Sequence, residues 1–245
     1  MSLRNPFRRA DKPELSDGAK APGGISGQML KSAVERALEA QAPLVAGHIT
    51  KIRKGKPHAG PAEVIAALNK KYMIAVGGTG AAAGGAAFVP GLGTAASLAT
   101  GAGEAIAALN ASVLYTLAVA EVHGLGIEDV ERRRTLVLAI VLGEGGTKVM
   151  QKATGGTHWA RELSDAVPLP KLGRINQTLV RYFIRRFAMR QSALAFGRAM
   201  PLGAGAVIGA VGNVVTARAV IASTEKAFGP PPAQWPDSAP ALTGG

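Results

Sequence analysis

The chain has 245 residues, carries 28 Lys and Arg against 16 Asp and Glu for a formal net charge of +12, and contains no cysteine. That length buries a core without covalent staples, and the lack of cysteine excludes disulfides, thiolate metal sites and cysteine nucleophiles. The positive surplus selects anionic partners, while an aromatic content of 4% leaves few rings on which bases could stack, so no specific nucleic-acid partner is expected.

Residues 1–25, with "MSLRNPFRRADKPELSDG", read as a disordered basic arm that lacks the apolar run of a secretory signal. Residues 26–228 read as one all-α, multi-helix bundle. Met29, Leu30, Ala33, Val34, Ala37 and Leu38 recur at helical spacing in "SGQMLKSAVERALEAQ", and Pro43 is placed to kink or restart that helix. "GKPHAG" reads as a loop. Pro61 suits the first turn of the next helix, and Glu63 complements its dipole.

That helix runs through "AEVIAALNKKYMIAVGG" into the stretch "GGTGAAAGGAAFVPGLG" at 77–93. Gly78, Gly80 and Gly84 form a loose phosphate-loop pattern, and "YMIAV" in front of it has strand composition. A dinucleotide site also needs an acidic residue about 20 positions on at the end of a second strand. Here that residue is Glu104, inside a helical pattern, and no P-loop lysine follows. Close helix packing explains more of the residues. Gly80 and Gly84 form a GxxxG, Gly93, Ser97, Gly101 and Ala105 repeat every fourth position, and Gly205 and Gly209 form a second GxxxG. Small residues at this spacing let helix backbones approach. The stretch from Met73 to Ala120 carries one charge, Glu104, and reads as a helical hairpin that is marginal for crossing a bilayer.

Thr94 is a plausible N-cap for the second arm of this hairpin, and His123-Gly124 has the signature of its C-cap. "ERRRTLVLAIVL" follows from near Ile127–Asp129. Strand composition competes there, and helix is preferred because no partner strand or hairpin turn lies nearby. "GEGGTKVMQKATGG" reads as a short frayed helix, and "THWARELSDA" as another, capped by Thr157.

Lys171 to Met200 reads as a long amphipathic helix ended by Pro201, and Leu202 to Phe228 as the last helix. No acidic residue occurs from Ala166 to Thr224. Arg174, Arg181, Arg185, Arg186 and Arg190 are the expected contacts to an anionic membrane surface. Glu104, Asn110, Asn213 and Arg218 stand as polar residues inside small-apolar helices and are expected to be buried, with Arg218 or Asn213 as partner to Glu104. The four histidines have no metal spacing. No catalytic constellation is found, and no cofactor is expected. Residues 229–245 read as a disordered Pro-rich tail.

The runs "GGAAFVPGLGTAASLATGAGEAIAAL", "YTLAVAEVHG", "ERRRTLVLAIVLG", "LGRINQTLVRYFIRRFA" and "GRAMPLGAGAVIGAVGNVVTARAVIASTEKAFGPPPAQWP" resemble the EcsC protein family of bacteria. The resemblance covers roughly residues 61–236, and its most specific part is the run from Pro201 through Asn213 to "AFGPPP". The Ala/Gly/Arg bias suits an actinobacterial member. The family takes its name from a gene neighbouring an ABC transporter, which implies a membrane transport component as protein partner. It implies a helical protein without established catalytic residues, in the cytoplasm or on the cytoplasmic side of the cell membrane. The function expected is that of a membrane-associated accessory or scaffolding protein and not of an enzyme. The alternatives are a soluble bundle that holds an amphiphile or partner helix, and a nucleotide-binding enzyme.

Overall fold

A computed structural model describes residues 27–77, 101–165, 167–198 and 204–237, and side chains within 31–76, 106–165, 167–186 and 213–237. The regular elements among the described residues are all helices, with no strand. In chain order the helices are α1 (Gly27–Gln41), α2 (Val45–Lys54), α3 (Pro61–Gly77), α4 (Gly101–Val122), α5 (Val130–Val141), α6 (Glu144–Thr154), α7 (Trp159–Asp165), α8 (Leu169–Arg198) and α9 (Ala204–Phe228).

Local sequence sets many of these boundaries. A 3-10 turn over Ala42–Leu44 carries Pro43 and separates α1 from α2. Pro61 opens α3, where a backbone N–H would have no partner, and the Glu63 carboxylate accepts from the Gly60 N–H at 3.1 Å. Gly124, at φ 71°, closes α4. Its N–H reaches the Glu121 carbonyl at 2.9 Å, and the Leu125 N–H reaches Ala120 at 2.9 Å. That pair of bonds is a Schellman cap. Asp129 caps α5 by accepting from the Arg132 N–H at 2.8 Å.

Helices α4 and α5 form the centre. Every residue from Leu109 to Ala120 is buried, as is every residue from Thr135 to Ile140. A helix apolar on all sides is stable in water only when neighbours enclose it. Helices α1, α2, α3 and α9 pack around α4, and α1, α6, α7, α8 and α9 around α5. "YMIAV" before the glycine stretch is the last part of α3, not a strand. Helix α6 is not frayed: it buries Gly146, Thr147 and Met150 and ends on Gly155 at φ 81°.

Asn69 and Tyr72 of α3 bond Tyr115 and Ser112 of α4, so these two helices are antiparallel. The C-terminal turns of α9 lie beside the first half of α3, so α9 is antiparallel to α3 as well. The C-terminus of α3 and the N-termini of α4 and α9 therefore share one end of the bundle. Ile74, Ile106 and Val215 lie toward that end with relative exposures of 54%, 43% and 59%.

Residues 229–237, expected to belong to a flexible tail, lie on the body of the bundle. The Trp235 indole donates to the Ala59 carbonyl at 3.2 Å, and the Arg53 guanidinium stacks 4.1 Å from its ring centre. Pro-rich composition stops the helix; it does not prevent docking when an aromatic anchor is present.

Candidate functional site: a basic helix face and a polar-floored cleft

Helix α8 buries Leu172, Ile175, Asn176 and Leu179 and turns Lys171, Arg174, Arg181, Tyr182 and Arg185 to solvent. The two sets alternate at three- and four-residue steps, which is why one side packs and the other stays wet. A buried polar network fixes the helix about its own axis. Asn176 donates to a Glu131 carboxylate oxygen at 2.7 Å, and its amide oxygen lies 2.8 Å from the Thr135 hydroxyl. The other Glu131 oxygen accepts from Arg134 at 2.6 Å, and Arg134 also pairs with Glu35 on α1 at 3.0 Å. Helices α1, α5 and α8 are tied by this one chain of contacts, and rotation of α8 would leave buried Asn176 without partners.

Of the expected lipid contacts, Arg174, Arg181 and Arg185 are exposed and form no ion pair with a described residue. From Arg174 to Arg185 the stripe is about 16 Å long at the α-helical rise. Arg186 is also exposed, but its Nη1 donates to the Leu142 carbonyl at 2.7 Å. It thereby fills an orphan acceptor at the negative end of α5 and has a structural task besides its charge. Arg190 falls on α8, with its side chain outside those described. Tyr182 lies among the arginines, 44% exposed, with its ring over Gly145, where a Cβ would come within 2.5 Å of it.

The polar residues expected to be buried divide. Asn110 is buried; it accepts from Gln41 at 3.2 Å and donates to the Ile106 carbonyl at 2.9 Å. Asn213 is half-buried. Arg218 is exposed, which corrects the expectation. The inward face of α9 is set by Ala217, Val220, Thr224 and Ala227, and position 218 is turned about 100° from 217. Glu104 lies on α4 with its side chain outside those described, so its expected pairing with Arg218 or Asn213 falls outside them too. Gly101 falls on α4, and Gly205 and Gly209 fall on α9, while Gly80, Gly84 and Gly93 lie outside the described residues. Close backbone approach is visible elsewhere, at a residue that the spacing argument passed over. A Cβ on Gly146 would come 2.1 Å from the Ala139 carbonyl oxygen.

The cleft was not foreseen. About 450 Å³ opens between α3, α4, the end of α9 and the Pro230-Pro231 segment, and no residue of α8 lines it. Its floor is polar. The buried Tyr115 hydroxyl donates to Asn69 Oδ1 at 2.7 Å, and burial holds its pKa well above the ordinary phenol value. The Tyr115 ring stacks on Tyr72 at 4.5 Å. Ser112 donates to Ala108 at 2.7 Å, so Tyr72 is the donor in its 2.8 Å bond to Ser112. At the far side, His123 stacks on Phe228 at 5.1 Å, and His158 Nδ1 lies 3.3 Å from the Lys226 carbonyl. Burial, with help from Arg161, lowers the His123 pKa to about 4, so it is neutral at physiological pH. These residues come from four separate stretches, and no local motif marks them.

No described helix is long and apolar enough to cross a membrane. Set against protein-family models, curated proteins and solved structures, the chain matches none of them.

Proposed function

We propose that this protein associates with anionic membrane surfaces through the basic face of α8 and serves there as an accessory or scaffolding protein. The observation that carries the reading is the exposed stripe of Arg174, Arg181 and Arg185, held in phase by the Glu131–Asn176–Thr135 contacts and without ion pairs to described residues. Arginine presents a fork of donors that suits phosphate oxygens, and an exposed tyrosine among arginines matches the mixed chemistry of the headgroup layer. The exposed Ile74, Ile106 and Val215 add apolar contacts at one end of the bundle. The resemblance to the EcsC family agrees with a helical protein on the cytoplasmic side of a bacterial membrane, with a transport component as partner.

The test is vesicle co-sedimentation with Arg181→Gln/Arg185→Gln. Each basic residue near an anionic surface contributes about 1 kcal/mol, so the double variant loses about 2 kcal/mol, or roughly thirtyfold in affinity. Its melting temperature stays near that of the parent, because neither side chain pairs with a described residue. Undiminished binding at low salt would remove the assignment.

A further inference from the structure

The cleft stands apart from the basic face, and its chemistry is of the opposite sign. Its wall is apolar, made by Ile65, Ala66, Phe228 and Pro230. Its polar groups include Asn69, whose Oδ1 already accepts from Tyr115, and Glu225. Glu225 is exposed at the last turn of α9 and forms no ion pair with a described residue. Glu225 lines the cleft, and its charge adds to the burial that raises the pKa of the Tyr115 hydroxyl. Two cations act in this region, Lys226 on Glu144 and Arg161 on His123, and neither lines the cleft. His123 is neutral. The cleft therefore offers one carboxylate, the amide oxygen of Asn69 and an apolar wall in a chain of net charge +12.

We propose that this cleft binds a small amphiphilic cation, a primary ammonium on a short apolar body. The ammonium pairs with Glu225 at the mouth, and the body lies along Ile65, Ala66, Phe228 and Pro230. A cleft of about 450 Å³ falls within the range that encloses small ligands, about 300–1,000 Å³. A carboxylate facing an ammonium donor forms the stronger, charge-assisted kind of hydrogen bond. The net charge of +12 disfavours such a ligand over the surface at large, and a carboxylate beside an apolar wall offers it both contacts at once.

The probe is n-octylammonium, titrated calorimetrically into the full-length protein, with n-octanol as the neutral control. Saturable binding at one site is expected, with octanol at least tenfold weaker. Glu225→Gln, at an exposed position, weakens octylammonium at least tenfold and leaves octanol unchanged. Ala66→Phe fills the cleft and abolishes both. The melting temperatures of the two variants, measured alongside, verify that they remain folded. Equal affinity for amine and alcohol, or octylammonium binding untouched by Glu225→Gln, would overturn the proposal. So would the absence of saturable binding to the parent protein. Vesicle binding does not enter this experiment, so either reading can fail while the other stands.

Discussion

Gly146→Ala adds one methyl group where the start of α6 meets the end of α5. The new Cβ would stand 2.1 Å from the Ala139 carbonyl oxygen, more than an ångström short of ordinary contact, and 2.7 Å from both Ala139 C and Cα. All three atoms are backbone, so no rotamer change relieves the clash, and the two helices must separate. Both elements are central: Ala139 is fully buried in the all-buried segment of α5, and Met150 of α6 is fully buried. Overpacking of this kind costs about 1–3 kcal/mol, and the rigid neighbour puts this site at the upper end. Alanine recovers up to about 1 kcal/mol of helix propensity, leaving a net loss of about 2 kcal/mol. For a domain of this size the melting temperature falls by about 4–8 °C. The control is Gly47→Ala on α2, where a Cβ meets nothing within 4 Å and propensity alone acts, so stability holds or rises. Calorimetric melting of the two variants beside the parent reads the difference. Equal melting temperatures for Gly146→Ala and Gly47→Ala would refute the claim that helix backbones touch at Gly146.

Burial, assisted by Lys71 and Lys51, lowers the His48 pKa from 6.5 to about 4, and burial with Arg161 does the same to His123. Between pH 6.5 and about 4 the unfolded chain binds protons that the folded chain refuses, so stability falls as pH drops through this window and these two groups add nothing further below it. Urea denaturation at about pH 7 and about pH 5 reads the slope, and His123→Gln makes it shallower; a slope unchanged by that substitution contradicts the assignment. Trp235→Ala removes the stack on Arg53 and the bond to Ala59, costing about 1–2 kcal/mol. Hydrogen exchange at residues 229–237 rises in that variant while the amides of α4 stay protected, and unchanged exchange would show that the indole does not hold the segment.

Much of the architecture is legible in the sequence because local chemistry fixes it. Pro61 with Glu63, Gly124 and Asp129 each end or begin a helix by satisfying particular backbone groups, and all of them act within five residues. What depends on contacts between distant segments is not legible. The glycines of "GEGGTKVM" read as helix-weakening, and they are, until Ala139 is known to lie against Gly146. Arg218 reads as buried and is exposed instead, because α9 has apolar residues all round and periodicity there gives no phase. The amphipathic α8 had a clear phase, and its exposed arginines fall on the expected side. Trp235 sits in a proline-rich run, and its partners Ala59 and Arg53 lie more than a hundred residues earlier in the chain. The cleft has the same origin, since Asn69, Tyr115, His158 and Glu225 are brought together only by the antiparallel arrangement of α3, α4 and α9.

The most direct test of the membrane reading is co-sedimentation of the unaltered protein with vesicles of phosphatidylcholine alone and with vesicles rich in phosphatidylglycerol, each at low and at high salt. Surface charges are screened within about 10 Å at 0.1 M salt. Binding is therefore expected only to the anionic vesicles and is expected to weaken steeply as salt rises. Equal binding to both lipids, or no binding to either at low salt, would contradict the account.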